Sequence, residues 1–324
     1  MKPRSTSLST WLFAMFVILV YVAPTFLTTP QQSLVTRALV FALMAASLDI
    51  AYGHAGLASL GHSALAGIGG YTVGILMVKH DVHSFWVGVS AAVLITAGLS
   101  AVFAVLALRA KGIYFILATF TLGQMLSSLA QQWTALKSPG VDAIVGIGLP
   151  TVGFIDSWSP AAVMRAVLIV VVLAFLAIKR VLGSPFGLAL RGVRDNPARM
   201  EALGYHAWAY QLGAMTVSGA FAGLAGALFA YHSGIIAPSN IGIAASGLLV
   251  LMVIFGGSGT TYGPLIGGFG ITIIQFYASE WSQARAPIIV GAVFIATALL
   301  LRGGVAGTSR TALRHWKGIA REPA

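Results

Sequence analysis

The dominant pattern along the chain is a succession of long apolar runs separated by short polar stretches. A helix that crosses a membrane needs about 20 predominantly apolar residues, with a range of roughly 17–25. The pattern therefore predicts an all-α, polytopic membrane protein with about ten transmembrane helices, some of them broken or re-entrant. The predicted spans are residues 11–29, 33–52, 63–79, 85–108, 113–131, 161–179, 207–232, 241–257, 264–280 and 286–301.

The longest polar interruption lies at residues 184–204 and has the sequence SPFGLALRGVRDNPARMEALG. Ser184 before Pro185 is typical of a helix N-cap followed by the first helical residue, and Asn196 before Pro197 repeats the signal. The second helix is expected to run from Pro197 to Leu203 and to end at Gly204, because glycine readily takes the left-handed conformation there. Two short, capped helices are predicted.

This segment has two interpretations. It is either an ordinary solvated loop or a docking element for a soluble partner, and two capped helices are more than a tether requires. Met200 and Leu203 are three residues apart and share a helix face, so they are expected to provide an apolar contact. The residues predicted to form such a dock are Arg191, Arg194, Asp195, Pro197, Arg199, Met200, Glu201, Leu203 and Gly204.

Composition agrees with a membrane protein. The 324 residues are 58% hydrophobic and only 8% charged, and the mean hydropathy is +0.90. Globular proteins are about 45–50% apolar and about 25% charged. The 38 glycines favour closely packed helices, and the pairs Gly70/Gly74 and Gly219/Gly223 have the four-residue spacing that lets backbones touch. We expect a single transmembrane domain over residues 1–324.

The positive charge predicts an orientation. The net charge is +11, and with the N-terminus inside, 14 of the 19 basic residues fall in cytoplasmic segments. Such a bias is typical of the cytoplasmic side of membrane proteins. Both termini, the 184–204 loop and a tail at 303–324 are therefore expected in the cytoplasm. The apolar run after Lys2 and Arg4 is interpreted as a retained first helix and not as a cleaved signal peptide.

Polar residues inside the apolar runs are candidates for a substrate pathway. Asp49 is costly at membrane depth, by about 2.5–3.5 kcal/mol on insertion scales, so it needs a partner, for which His54 and Arg37 are candidates. Alternatively, Asp49 reaches the interface at the cytoplasmic end of the second span, and the histidines are hydrogen-bonded packing residues. The pathway candidates are Asp49, His54, Ser59, His62, Ser63, Gly256, Gly257 and Thr260.

Residues 256–264, with the sequence GGSGTTYGP, predict a turn. A re-entrant break there would be tolerated only where protein or a water-filled cavity covers it.

Enzyme classes find no support. The chain has no cysteine, which excludes disulfides and thiol chemistry. It contains no H-E-x-x-H, no G-x-x-x-x-G-K-[ST] and no G-x-S-x-G motif, so neither a metal site, nor a P-loop, nor a nucleophile elbow is expected. We predict no catalytic residues and no cofactor in this chain.

Five stretches together carry a family resemblance: residues 51–72, 108–123, 184–204, 221–230 and 256–267. They resemble the permease subunits of branched-chain (hydrophobic) amino acid ABC importers, the LivM-like family. Asp49 departs from the asparagine that is common in the family, and 137–142 (KSPGVD) departs from its T-G-G-x-x-G pattern. These departures bear on the substrate and not on the class.

The resemblance implies a transport subunit of the bacterial inner membrane that moves branched-chain amino acids or a similar small solute. It implies a homologous permease as heterodimer partner, two cytoplasmic ATP-binding subunits that hold ATP and Mg²⁺, and an extracytoplasmic solute-binding protein. The 184–204 loop would contact the ATPases. An ion-coupled carrier or passive channel for a small polar solute such as urea is the alternative.

Overall fold

The structure, a computed structural model, describes residues 6–133, 137–151, 159–282, 284–300 and 303–307. The described part is almost entirely helical. Ten helices have 14 residues or more: α1 (Thr6–Val22), α2 (Thr29–Asp49), α3 (His62–His80), α4 (Phe85–Ala107), α5 (Ile113–Gln132), α6 (Pro160–Gly183), α9 (Ala207–Ser233), α10 (Ile243–Gly256), α11 (Gly263–Trp281) and α12 (Ala286–Leu300). Two short helices, α7 (Pro185–Asp195) and α8 (Pro197–Ala202), lie between α6 and α9.

The ten long helices match the ten predicted spans closely, except at the first. There the helix begins at Thr6 and ends at Val22, and Pro24 follows in a 3-10 turn, Ala23–Thr25. The predicted end at residue 29 was wrong because proline cannot donate the hydrogen bond that continues a helix. The expected tail at 303–324 is described only for residues 303–307.

By length and composition alone, six helical segments of the described chain could cross a membrane. They are Thr29–His54, Phe85–Ala107, Ile113–Gln132, Pro160–Gly183, Ala207–Ser233 and Pro238–Gly256. The first differs from the rest, because 83% of its apolar window is buried within the protein, against 28–56% for the others. α2 is therefore the central helix, and it packs against α6, α9, α10 and α11.

α9 meets α3 and α4 through small residues. A Cβ at Gly226 would overlap the carbonyl oxygen of Ala66 in α3, and one at Gly223 would overlap Thr96 in α4. Gly219 lies equally close to Ser100. The predicted packing role of Gly219 and Gly223 is confirmed, with α4 as the facing helix.

The bundle has two ends. At the strand end, β1 (Ile144–Val145) pairs antiparallel with β2 (Ile235–Ile236). At the opposite end, which we call the knob end, a small second core joins α7 to the ends of α2 and α4 and to the starts of α5 and α9. Its buried members include Leu57, Ala107, Phe115, Leu190 and Met215.

Candidate functional site

Residues 184–204 form the two short helices that were predicted, with one difference. Asn196 caps α8, because its Oδ1 accepts the Arg199 backbone N–H at 3.0 Å, and Gly204 takes the left-handed conformation at φ +87°. Ser184 does not cap α7 with its side chain. Its hydroxyl donates instead to the Val181 carbonyl oxygen at 2.6 Å, which satisfies an end carbonyl of α6. The predicted N-cap position of Ser184 and the start of the helix at Pro185 are confirmed, and only the expected capping bond of the serine side chain is missing.

α7 is fastened to the body of the protein by its apolar face. Ala189, Leu190 and Val193 are buried on this face. Leu190 belongs to the knob-end core, and Phe186 stacks on Tyr210 of α9 with ring centroids 5.7 Å apart. The helix is thus part of the folded bundle, and a force on it would reach the helices behind it.

α8 is the outermost element of this end. Met200 is half-buried against Gly192 of α7, where a Cβ would approach the methionine sulfur within 2.6 Å. Leu203 is 66% exposed, and Arg191, Pro197, Arg199 and Glu201 are exposed as well. Met200 therefore serves an internal contact, whereas Leu203 and the charged groups remain available at the surface.

Arg194 lies at the end of α7 and faces the end of α2. Its Nη1 donates to the Gly53 carbonyl oxygen at 2.6 Å. Asp195 accepts from Nε at 3.1 Å and lies 3.0 Å from Nη2, so it orients the guanidinium group. Gly56 also packs against Arg194, because a Cβ added at Gly56 would lie 2.9 Å from the Arg194 Cγ.

Asp49 is buried at the end of α2, one residue before the π-helical turn Ile50–His54. Its Oδ1 accepts the Gly259 backbone N–H at 2.8 Å, and its Oδ2 lies 3.3 Å from His54 Nδ1. Of the two predicted partners, His54 is confirmed. Arg37 lies instead over the Phe41 ring, 5.6 Å from its centroid.

The predicted turn at 256–264 joins α10 to α11 at the knob end. Gly257 and Gly259 have φ values of +106° and +69°, which only glycine adopts easily. Thr260 donates to the Gly257 carbonyl oxygen at 2.6 Å and accepts the Gly263 N–H at 3.1 Å, so its side chain stabilises the turn. Gly256 packs against Gly263 across the turn.

Three elements therefore meet at one place, which we call the junction: Arg194 from α7, Gly53 and Asp49 from the end of α2, and Gly259 from the α10–α11 turn. A second link lies beside it, because Lys179 at the end of α6 donates to the Tyr262 hydroxyl at 3.2 Å. Residues predicted for ATPase coupling and residues predicted for the substrate pathway are brought together here.

The other pathway candidates lie at the start of α3. His62 Nε2 is 2.8 Å from the Ser47 hydroxyl of α2, and the Ser59 hydroxyl accepts the Gly61 N–H at 3.3 Å. The Ser63 hydroxyl is 2.6 Å from that of Ser246 in α10 and is within 3.1 Å of two backbone carbonyl oxygens. All three candidates are buried.

A cavity that is partly open to solvent adjoins Ser63 between α2, α3, α9 and α10. Its walls are mainly apolar, with Ser239 and Asn240 as further polar groups; the apolar members include Phe41, Met44, Ala66, Phe229 and Leu249. Among the predicted pathway residues, Ser63 is the one that lines this cavity.

A family model described as "branched-chain amino acid transport system / permease component" matches residues 32–300, which include the junction and the cavity. The chain belongs to this family. It is 24% identical to the high-affinity branched-chain amino acid transport system permease protein LivM of Salmonella typhimurium and 23% identical to LivM of Escherichia coli. Each alignment covers 96% of this chain and 78% of the relative.

A third relative matches over a shorter stretch. The probable branched-chain amino acid transport permease protein LivM of Methanocaldococcus jannaschii is 30% identical over 34% of this chain and 32% of its own length. No solved structure matches the chain. The helical content, the candidate spans and the family together make this permease a polytopic, all-α membrane protein.

Sequence reasoning missed two residues of this permease's junction, Gly53 and Gly259. Both act through the backbone, since Gly53 offers a carbonyl oxygen and Gly259 an N–H. Their signal was present as glycines next to predicted helix ends, but glycine spacing cannot say which backbone group faces which side chain. The buried carboxylate of Asp49 was the better clue, because a carboxylate has two oxygens and a backbone N–H can bond the one that a side-chain partner leaves open.

Proposed function

We propose that this chain is the transmembrane permease subunit of an ABC importer that moves branched-chain amino acids or similar small solutes across the bacterial inner membrane. The observation that carries the proposal is the family match over residues 32–300, which includes both the junction and the exposed 184–204 segment. The likeness to two LivM permeases over 96% of the chain supports it.

The knob end is proposed to face the cytoplasm, with both chain termini on that side. This orientation rests on the excess of lysine and arginine in the segments expected there. The strand end would then face outward, where a solute-binding protein would deliver its cargo. A homologous permease is the proposed heterodimer partner.

The exposed surface of the 184–204 segment is the proposed dock for two ATP-binding subunits, which would hold the ATP and Mg²⁺. Arg191, Arg199 and Glu201 would set its register through charge, and Leu203 would provide an apolar anchor. Interfaces combine apolar anchors with complementary charged rims in this way. The passive-channel and ion-coupled alternatives give this two-helix segment no role, and family membership does not favour them.

The solute is proposed to pass the cavity beside Ser63. Its aliphatic and aromatic walls suit a branched hydrocarbon side chain, and Ser63 and Asn240 place polar side chains on the wall that could exchange their present partners for a polar group of the solute. Asp49, His54, Gly257 and Thr260 do not line this cavity, and their hydrogen bonds hold the knob end together. We therefore assign solute contact to Ser63 rather than to these four.

The proposal is tested on the assembly purified from its native membrane through a tag on this chain and reconstituted in liposomes. ATPase and solute-binding subunits are expected to copurify, and leucine-type solutes should stimulate ATP hydrolysis and enter the vesicles. Glu201→Lys should uncouple hydrolysis from uptake without unfolding the protein. Uptake that continues without ATP, or that Glu201→Lys leaves at the wild-type level, would contradict the proposal.

The cavity assignment has its own test. Ser63→Leu fills the polar side of the cavity and removes the serine hydroxyl. It should raise the KM for solute uptake about tenfold or more, because a buried polar group of the solute that loses its hydrogen-bond partner is costly. Ser90→Leu, on an exposed position of α4, is the matched control and should leave the KM unchanged. Equal KM values for both variants would remove Ser63 from the pathway.

A further inference from the structure

We propose that Arg194 and Asp49 are positioning residues for transport, and that they fasten the 184–204 segment to the end of α2 and to the α10–α11 turn as one mechanical unit. The inference rests on the proposed function and goes beyond it. It concerns how a displacement of the 184–204 segment is transmitted to the helices, and it gives Asp49 a role in coupling rather than in solute contact.

The first link joins α7 to α2. The last carbonyl groups of a helix have no partner within it, and the guanidinium of Arg194 takes up one of them at Gly53. Charge-assisted hydrogen bonds are shorter and about twice as strong as neutral ones. Asp195 holds the guanidinium in this orientation through the 3.1 Å bond from Nε. Arg194 is exposed like Arg191 and Arg199, with 38% of its side chain accessible, but its Nη1 makes a hydrogen bond to the body of the protein.

The second link joins α2 to the α10–α11 turn. The Asp49 carboxylate is buried, and the Gly259 N–H is one of its hydrogen-bond donors. Gly53 and Gly259 are in direct backbone contact, because a Cβ at Gly259 would lie 2.9 Å from the Gly53 carbonyl oxygen. The same Cβ would lie 3.2 Å from Arg194 Nη1. Two touching peptide groups are thus each bound by a side chain: the Gly53 carbonyl oxygen by the Arg194 guanidinium and the Gly259 N–H by the Asp49 carboxylate.

The links lead toward the cavity. α2 is the most buried of the candidate spans, and Phe41 and Met44 on it line the cavity. Beyond His54 the chain continues through residues 55–61 into α3, where Ser63 lies on the same cavity. A displacement of the α2 end would therefore reach two walls of the cavity through covalent connections. The α10–α11 turn would carry it to Leu249 of α10.

If the Arg194 and Asp49 contacts only stabilised the fold, their removal would have a different outcome from the removal of a contact that couples ATP hydrolysis to transport. Removing a purely stabilising contact lowers stability and leaves the amount of solute moved per ATP unchanged in the protein that remains folded. Removing a coupling contact lowers that ratio while folding, assembly and ATP hydrolysis persist. The side chains also allow graded changes, since Asp49→Asn keeps an oxygen that can accept the Gly259 N–H, whereas Asp49→Ala removes it.

The contact itself is tested on the purified permease alone in lipid nanodiscs, by amide hydrogen exchange of residues 256–263. Asp49→Ala should speed exchange at Gly259 about tenfold, because the N–H loses a charged acceptor. Asp49→Asn should stay within about threefold of wild type. Arg109→Ala, an exposed arginine of the α4–α5 turn, is the control and should change nothing. Wild-type exchange in Asp49→Ala would overturn the proposal.

The coupling role is tested in the reconstituted assembly. Arg194→Ala should reduce the solute moved per ATP about tenfold, the scale of one charged hydrogen bond, with the ATPase rate within about twofold of wild type and an unchanged melting temperature. Arg109→Ala should keep the wild-type ratio. An unchanged ratio in Arg194→Ala, or a ratio that falls only together with the folded fraction, would overturn the proposal.

The two tests separate this proposal from the function on which it rests. A wild-type assembly that does not couple ATP hydrolysis to uptake would refute the importer and any coupling role with it. Hydrogen exchange in the isolated permease would still show whether the junction contact exists. A coupled wild-type assembly with a normal Arg194→Ala variant would refute this inference alone.

Discussion

The interior of the bundle and the junction are held together in opposite ways. Where α9 crosses α3 and α4, glycines let the backbones touch, and a single added carbon at Gly226 or Gly223 would overlap the neighbouring helix. At the junction, three elements are joined by side-chain hydrogen bonds from Arg194 and Asp49 to backbone groups. The first region is a continuous surface of contact, and the second is a small number of discrete bonds.

This difference assigns the two regions different mechanical roles. Close-packed contact is stiff, because any relative movement loses many dispersion contacts at once. The helices α3, α4 and α9 are therefore expected to move as a body. A discrete hydrogen bond can be broken and remade at a cost of a few kcal/mol. The junction is thus the place where the link from α7 to the α2 end and the α10–α11 turn can change, while the apolar face of α7 stays packed in the knob-end core.

The largest effect is expected from a substitution that breaks the interior. Gly226→Leu would place a side chain against the Ala66 carbonyl and force α3 and α9 apart. Overpacking of this kind costs about 1–3 kcal/mol and more where backbone must move, so we expect the folded yield in detergent to collapse. Thermal unfolding followed by size-exclusion chromatography measures the loss.

Gly98→Leu provides the matched control for that substitution. Gly98 lies in α4, is exposed and has nothing within 4 Å of an added Cβ. Its replacement should leave the melting temperature at or slightly above that of wild type, because leucine favours helix more than glycine does. If both glycine variants melted alike, close backbone contact would not be what holds the interior.

A smaller effect is expected where the junction is crowded. Gly259→Ala meets two obstacles: its φ of +69° costs an L-residue about 1–2 kcal/mol, and its Cβ would press on the Gly53 carbonyl oxygen and Arg194. Gly234→Ala has a similar φ of +70°, but its Cβ would find only ordinary contact at 3.5 Å. We expect Gly259→Ala to melt at the lower temperature of the two. Equal melting temperatures would mean that the residues around Gly259 move aside for the added Cβ at little cost in free energy.

The sequence predicted the helices well because long apolar runs leave few alternatives. It also predicted the capped α8, since Asn196, Pro197 and Gly204 each have a strong positional preference. The hydrogen-bond partner of the Ser184 hydroxyl was missed because a serine hydroxyl can bond either a following N–H or a preceding carbonyl, and sequence does not decide between them.

Several residues of the candidate site were predicted from the sequence, but not which of them lie together in the structure. Asp49 and Arg194 were assigned to separate roles because 145 positions separate them along the chain, and nothing in either segment indicates that both meet Gly53 and Gly259. The cavity was unpredictable in the same way, since four helices line it. Local sequence signals predict individual helices and turns. Contacts between residues far apart in the sequence depend on how those helices and turns pack together.

The smallest effect is expected from the outermost element, α8, which belongs to neither the interior nor the junction. Asn196→Ala removes the oxygen that accepts the Arg199 N–H, and loss of an N-cap costs about 0.5–2 kcal/mol. Because the only half-buried side chain of α8 is Met200, the cost should stay local. Amide exchange over residues 199–205 should become about fivefold faster while the melting temperature hardly changes.

Asn196→Asp is the control that decides what this result means. An aspartate keeps the acceptor oxygen and adds a negative charge at the helix N-terminus, which is favourable there. It should therefore restore wild-type exchange. A lower global melting temperature in Asn196→Ala would show that α8 is packed into the junction more firmly than its exposure indicates. The stiff body of the protein would then include α8.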